Sequence, residues 1–517
     1  MKNPHKISTA AVVIPPFTDF YSTPHRFSTL GAGILVRLLE KKGIKVHYFN
    51  FPLDNCLRQN IPIPKTLSYL KPYILPNETG QSSFFTQYYH YGPPLQECVQ
   101  QIISIEPDIL FISCFAFCYA DMTVSLCKGL KNLFPSIPII AGGGGVSVNP
   151  HYFISTGCID YTLSGEAEIS IPPLLDFING KTKDSTSIPN LSSNSHTNSL
   201  FSPTSFTNDN TIEPGFQTSL KDNRLRLDLT ISRGCPLNCS FCSNRLCHGT
   251  DFRHISLNQV DDIIMSISQS LPSEPSTVDI NFEDDNLLID PEFWFRVLEK
   301  FKSRFPCAHF YAENGLDYRL LTEDSAKYLI KLGMAQFNIA LGNVNKDSLH
   351  TLSRVSSLDH YDNLLNLFKE HSIQVITYFI SGIKGESREN IAENLLYLFK
   401  RPTLTGISMF YPVPGLPGFT NLSMFENGKS ILCCGSSAYP WNESVNTATL
   451  VTAFRLSRLL NLIKCKYHSP IEQKLIETSI KKRMLHTQIR HKKEKVIIEV
   501  PLQDNHLAEM VLEAIDF

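Results

Sequence analysis

Short runs of β-branched and aromatic residues alternate with amphipathic, helix-length stretches along most of this chain, and that alternation restricts the fold more than any other feature. Strands joined through helices run parallel, and a parallel sheet needs helices over both faces. Between residues 1 and 180 the strand-like runs are "STAAVVIPPF", "IKVHYFNF", "PDILFISCFAF", "IPIIAGG" and "IDYTLSG". Helical patterns separate them, among them "STLGAGILVRLLEKKG", which ends at Gly43, and "YADMTVSLCKGLKNLF". The pattern predicts an α/β fold with an N-terminal doubly wound parallel sheet. A second series, "LRLDLTIS", "TVDINFED", "CAHFYAEN", "AQFNIAL", "QVITYFISG" and "LTGISMFYP", predicts a partial (β/α)6 barrel over residues 223–420. Residues 181–222 read as a low-complexity linker, because Ser, Thr and Asn supply more than half of the stretch from Lys181 to Glu213. Past residue 420 the pattern turns mainly helical, as in "ATLVTAFRLSRLLNLIKC", and closes on the strand-like "KVIIEV"; residues 421–517 read as a small mainly helical C-terminal domain.

The length of 517 residues fits about three domains at roughly 150 residues each. With 42% hydrophobic and 19% charged residues the composition is that of a globular protein and excludes global disorder. A formal net charge of −2 supplies no whole-chain field toward nucleic acid or an anionic membrane. The longest strongly apolar run, Ile109 to Ala120, falls far short of the roughly 18 residues that span a bilayer. Lys2 and Lys6 precede the apolar stretch Ala10 to Ile14, but Pro15 and Pro16 cut it short, so it reads as a first strand and not a signal peptide. Fourteen cysteines in such a chain point to thiols, metal ligands or a cluster in a reducing cytoplasm, not to a disulfide framework.

The most informative string is "TISRGCPLNCSFCSNR", in which Cys235, Cys239 and Cys242 form a C-x3-C-x2-C set directly after a predicted strand. Three thiolates on one tight loop can hold three irons of a [4Fe–4S] cluster and leave the fourth open. Cys247 is an alternative fourth ligand, and a structural zinc site is a second alternative, although its usual paired C-x2-C knuckles are missing. Cys114, Cys118 and Cys127 lie in apolar patterns and read as packed thiols.

With Phe241 as the aromatic residue before Cys242, the motif resembles the C-x3-C-x-aromatic-C hallmark of the radical S-adenosylmethionine (radical SAM) superfamily. The resemblance runs from about Asp228 to Gly418. "INFEDDNLLID" resembles the second-strand motif that contacts the methionine amino group and implies that role for Asp285, with Asp284 beside it. "ITYFISGIKGESRENIAENL" resembles the fifth-strand stretch, which brings in Ser381 and Glu386, and "MFYPVPGLPG" resembles the sixth-strand P-x-P-G-T. Two positions depart from the family. Asn343 follows Gly342 where the family carries a glutamate that contacts the sugar, and Lys384 replaces the common proline before Gly385. The resemblance implies a [4Fe–4S] cluster on Cys235, Cys239 and Cys242, and S-adenosylmethionine (SAM) held near Phe241, Asp284, Asp285, Asn343, Ser381 and Glu386.

The N-terminal region is similar to the cobalamin-binding domains that precede this barrel in the class B methyltransferase-like branch. Ser113 in "SCFAF", the loop Gly142, Gly143, Gly144 and Gly145, and "IDYTLSGEAEISIPPLL" carry that likeness, which implies a groove for the cobalamin tail. The D-x-H-x-x-G axial-ligand motif is missing, and neither His25 nor His151 has its flanks. The implied activity is reductive cleavage of SAM to a 5′-deoxyadenosyl radical, followed by methylation of an unactivated carbon. The alternatives are a radical cyclase or rearrangement enzyme, with or without cobalamin, and a non-enzymatic sensor. The implied partners are a small-molecule or peptide substrate and a flavodoxin- or ferredoxin-type electron donor, with no nucleic acid and no membrane. The stretch Arg455 to Lys495, rich in Lys and Arg, reads as a solvated basic face, with a docking surface as the alternative.

Overall fold

The computed structural model describes residues 6–515 apart from 22, 26–27, 55–56, 75–86, 194–204, 209–211, 356, 465–469 and 492–493. Its first sheet contains β1 (Thr9–Ile14), β2 (Lys45–Asn50), β3 (Ile109–Ser113), β4 (Ile139–Gly142), β5 (Tyr161–Leu163) and β6 (Leu191–Ser193), in the order β2-β1-β3-β4-β5-β6. All neighbours are parallel except β5 and β6. Side chains on β1 alternate between two cores, with Ala10, Val12 and Ile14 on one face and Ala11 and Val13 on the other. Both faces are therefore buried, as a doubly wound sheet requires. The helix Leu30–Lys41 gives way to Gly43 at φ +75°, the left-handed stop read from the sequence. Because the parallel strands share one direction, Ile14, Ser113 and Gly142 end on one edge, where open α/β sheets bind ligands.

Besides a two-residue ladder, the described residues of the barrel region hold seven longer strands: β7 (Gly215–Lys221), β8 (Arg224–Thr230), β9 (Thr277–Phe282), β10 (Ala308–Tyr311), β11 (Gln336–Gly342), β12 (Gln374–Ser381) and β13 (Leu404–Met409). The last six are the expected parallel series, in two halves, β8-β9-β10 and β11-β12-β13. Among the described residues the parallel bridges Phe310 to Met334 and Leu316 to Ile339 join the halves. Phe282, Phe310, Phe337 and Phe379 pack between the strands and the flanking helices: Trp294, fully buried on the helix Pro291–Arg304, meets Phe282 edge-on at 5.9 Å, and Phe368 stacks on Phe337 at 4.2 Å. That helix starts cleanly because Asp290 accepts the Phe293 N–H at 3.0 Å and Pro291 occupies the first turn.

Three features differ from the sequence expectation. The stretch read as a linker supplies β6 and β7; the latter forms a hairpin with β8 through Asp222 and Asn223, both at positive φ. Much of the Ser/Thr/Asn-rich stretch, residues 194–204 and 209–211, lies outside the described residues. A small antiparallel sheet of Phe17–Asp19, Arg58–Ile61 and Tyr88–Tyr91 inserts into the N-terminal region. The C-terminal helices Thr447–Ile463, Pro470–Lys482 and Asn505–Leu512 accompany a hairpin of β14 (Met484–His491) and β15 (Glu494–Pro501), and Val500, Leu507 and Val511 join the barrel's own core. Among the described residues no helix is long and apolar enough to cross a membrane.

The close packing at Trp294 gives a direct test. Trp294→Ala is expected to cost about 3–5 kcal/mol, as a buried aromatic deletion does, and to lower the urea unfolding midpoint; a loss under about 1 kcal/mol would show that this helix does not secure the barrel wall.

Candidate functional site

The cysteine loop leaves the barrel mouth after β8 and is tied down at each step. Ser232 and Arg233 pair with Arg253 and His254 as a two-residue ladder. Asp284 accepts the Ile231 N–H at 3.0 Å, the Ser232 N–H at 2.5 Å and the Ser232 hydroxyl at 2.6 Å, all on one oxygen. Its other oxygen, Oδ2, is buried with no partner among the described residues, and burial pushes its pKa up to about 7. Asp285 accepts the Gly234 N–H at 2.8 Å. Gly234 has φ +84°, and a Cβ there would lie 2.1 Å from the Asp251 carbonyl, so only glycine fits. Cys235 receives the Asn286 amide at 3.7 Å, and Cys239 faces Arg354 at 3.9 Å. Asp317 braces Arg354 at 3.1 Å and Arg319 at 2.6 Å. Ser240 reaches the carbonyls of Thr351 and Leu352, and Phe241 is half-buried. Cys235, Cys239 and Cys242 are free thiols, and burial pushes Cys242 up to about 11. Among the described residues no three His, Cys, Asp or Glu side chains converge to hold a single metal ion. A cubane cluster needs no such convergence, since each thiolate binds its own iron.

A cavity of about 750 Å³ lies between this loop and the edge of the first sheet. Ser113, Gly142, Gly143 and Gly144 line one wall, and Asp285 and Glu283 line the other. The resemblance makes these glycines an approach path for a ligand tail, and the geometry adds a different cause. At Gly143, with φ +97°, a Cβ would meet the Cys114 carbonyl oxygen at 2.7 Å; at Gly144 it would meet the Phe115 oxygen at 2.9 Å. These residues are glycine because the loop after β3 presses on them. Gly142 alone of the three has ordinary room, with the Leu163 oxygen at 3.6 Å. Cys247 also lines this cavity, and Ser147 of the glycine loop bonds its thiol, which burial pushes up to about 12. His25 and His151 are exposed and away from it.

Residues 229–398 match the family model described as the Radical SAM superfamily. This chain carries a radical SAM domain. Bacteriochlorophyllide d C-12(1)-methyltransferase of Chlorobaculum tepidum is 23% identical over 198 residues, 38% of this chain and 42% of that protein. The chain thus spans less than half the length of that relative. Among solved structures, the radical SAM methyltransferase TsrM from Kitasatospora setae, with cobalamin and a [4Fe–4S] cluster bound, aligns at a TM-score of 0.58 and 14% identity, covering 80% of this chain and 77% of that one. The cobalamin-dependent radical enzyme OxsB, with aqua-cobalamin and SAM bound, aligns at 0.60 and 13%, covering 92% and 71%. At these identities the likeness is one of fold, and it extends well beyond the radical SAM domain itself.

Of the six residues that the resemblance assigns to SAM, Asp285 lines the cavity and Phe241, Asp284, Asn343, Ser381 and Glu386 do not. Asn343, Ser381 and Glu386 form a sealed network behind the radical SAM barrel's mouth and do not line the cavity. Asn343 donates to Glu386 at 2.9 Å and accepts from Asn394 at 3.0 Å; Glu386 also accepts the Gly382 N–H at 2.5 Å and the Ser381 hydroxyl at 3.3 Å. Burial pushes Glu386 up to about 7. Their polar atoms are occupied by the scaffold, and the Asn343 amide is bonded at both its nitrogen and its oxygen. Asp284 is likewise beneath the cavity and not on it. Sequence reasoning missed Tyr411, whose ring lines the cavity and whose hydroxyl has no partner among the described residues. Its place right after β13 was the available signal.

Reasoning from sequence also missed the clamp joining the two domains. Glu166, in the "SGEAE" element, takes Arg253 in a two-pronged pair at 2.9 and 3.0 Å, the Thr207 N–H at 2.7 Å and His248 at 3.3 Å. Glu168 pairs with Arg233 at 2.8 Å, two residues before Cys235. Burial alone would raise the Glu166 pKa, yet His248 and Arg253, with Arg233 and Thr207, hold it well below the usual carboxylate range. Because that pKa is depressed, its stability contribution is present above the unfolded value of 4.5 and is lost as pH falls below it. Glu166→Ala leaves Arg253 buried without its partner and should cost about 3–5 kcal/mol. Unfolding measured between pH 7 and 3 should show the wild-type protein losing its advantage over this variant on the acid side; a constant difference would contradict the assignment.

Proposed function

We propose that this chain is a cobalamin-dependent radical SAM enzyme that methylates an unactivated carbon of a biosynthetic small molecule or peptide. The observation that carries the reading is the shared cavity, with the cysteine loop's anchor Asp285 on one wall and Gly142 to Gly144 with Ser113 on the other. The residues fit the groups. Three free thiols lie on one braced loop, and the glycine wall borders a cavity of about 750 Å³. When bound, the cluster and cobalamin supply the electron that cleaves SAM to a 5′-deoxyadenosyl radical and the methyl group that is transferred. The chain's own part is positional. Arg354 and Arg319 fix Cys239, Asp285 holds Gly234 and offers its carboxylate to the methionine ammonium, and the rings of Phe17, Phe115 and Tyr119 keep water from the cavity. The methyltransferase names of the Chlorobaculum relative and of TsrM support methyl transfer over ring closure. An external flavodoxin- or ferredoxin-type donor supplies the electron, and the cytoplasm is the compartment that suits an oxygen-sensitive cluster.

Changing Cys235, Cys239 and Cys242 together to Ala should abolish both bound iron and deoxyadenosine; stoichiometric zinc without sulfide in the anaerobic wild-type protein would overturn the cluster. Asp285→Asn keeps an acceptor for Gly234 but removes the charge. It should weaken SAM binding about 10- to 150-fold, the equivalent of roughly 1.5–3 kcal/mol, with iron content unchanged; equal affinity at equilibrium would move the ammonium contact elsewhere. Gly142→Val, free of the backbone clash at Gly143, should lose cobalamin while keeping the cluster. Full cobalamin occupancy in that variant would make the glycine loop a turn and nothing more.

A further inference from the structure

Outside the cluster loop, one pair of thiols from distant parts of the chain meets at the cavity. Cys118 lies in the single turn Phe117–Tyr119 just after β3, and Cys434 lies between the turns Ser430–Leu432 and Gly435–Ser437. These segments pack directly on each other. The Ser430 hydroxyl donates to Asp121 at 2.8 Å, and Phe117 meets Phe425 edge-on at 6.0 Å. On the other side, the Cys434 sulfur is 3.0 Å from the Ser436 hydroxyl, which bonds Asp19, and Asp19 accepts the Tyr119 hydroxyl at 2.5 Å. The two thiols are thus bracketed by contacts from both flanks; they interact with each other, both are free, and both residues line the cavity. Cys118 is buried, and Cys434 is the more accessible of the two.

We propose that Cys118 and Cys434 are a redox-active dithiol whose oxidation staples the N-terminal sheet domain to the C-terminal segment across the cavity wall. The oxidant is a low-molecular-weight disulfide. The Cys434 thiolate attacks one of its sulfurs, forming a mixed disulfide and releasing one small thiol. The Cys118 sulfur then displaces the second, so one protein S–S bond forms, the reagent's S–S bond breaks, and two electrons and two protons pass to the released thiols. A packed thiol pair with no route to the cavity would not undergo this exchange. The reaction requires no bound cofactor and does not depend on the methyltransferase reading.

The test treats the anaerobic holoprotein with bis(2-hydroxyethyl) disulfide, alkylates the remaining thiols and maps the digested peptides by mass spectrometry without reduction. The expected result is a peptide joining Cys118 to Cys434, two fewer alkylated cysteines and unchanged iron. Cys118→Ser and Cys434→Ser should each lose that peptide, whereas Cys127→Ser, a buried cysteine away from the cavity, should retain it. Linkage of Cys118 to Cys114, linkage of Cys433 to Cys434, or recovery of Cys118 and Cys434 unlinked in the wild-type protein would overturn the proposal.

Discussion

A carboxylate with no side-chain exposure is costly unless charged partners replace the water it lost, and Glu166 shows what that replacement organises. Arg253 and Arg233 flank the cysteine loop on its two sides, one on each strand of the short ladder that starts it. Pairing them with Glu166 and Glu168 fixes the loop to the first sheet's closing element. Ser147 extends the tie by donating to the Gly143 carbonyl and accepting the Gly165 N–H at 2.8 Å. The spacing of the cysteines and the glycine loop is therefore set by a charged joint together with apolar packing, in which Leu246 and Cys247 join Val146 and Val148. Such a joint adds little net stability against a well-packed apolar substitute, but removing one partner leaves a buried charge, so the geometry is strongly specified.

What could be read from the sequence followed from how local each cause was. The six parallel barrel strands were legible because β-branched and aromatic residues concentrate in them with a period of two, as where Val278, Ile280 and Phe282 alternate with polar residues in "TVDINF" and burial alternates along "QVITYFIS". The cysteine set was legible because its spacing lies within eight residues. The strands Leu191–Ser193, Gly215–Lys221 and Arg58–Ile61 were not, since short polar strands take their form from a partner strand and carry little apolar pattern. The clamp was hidden for the same reason at longer range: Glu166 and Arg253 are ordinary residues until the fold joins them. Gly143 is the instructive intermediate. Its need for glycine was legible, but the cause lies in the carbonyl of Cys114, which only the folded chain brings to 2.7 Å.

Asp284 and Asp285 show how adjacent residues at one strand end divide their work. Just past the end of β9, Asp284 turns under the loop to Ser232 while Asp285 reaches Gly234 and the cavity. Burial raises the Asp284 pKa to about 7, and the charge of Asp285 adds to the rise. A raised carboxylate contributes stability below its unfolded value of 3.8 and loses it as pH climbs toward 7, the opposite sense to Glu166. The two effects divide the pH axis: the domain joint weakens in acid, whereas the support under the cysteine loop gives up its proton near neutrality. A cation seated against Asp285 offsets the repulsion that Asp285 exerts on Asp284, and by linkage it favours ionised Asp284. Ionised Asp284 accepts the Ile231 and Ser232 N–H groups more strongly, because a charged acceptor makes the stronger hydrogen bond. Occupancy of the cavity by an ammonium group would thereby tighten the same loop that carries the cysteines, through two adjacent carboxylates and no movement of the backbone.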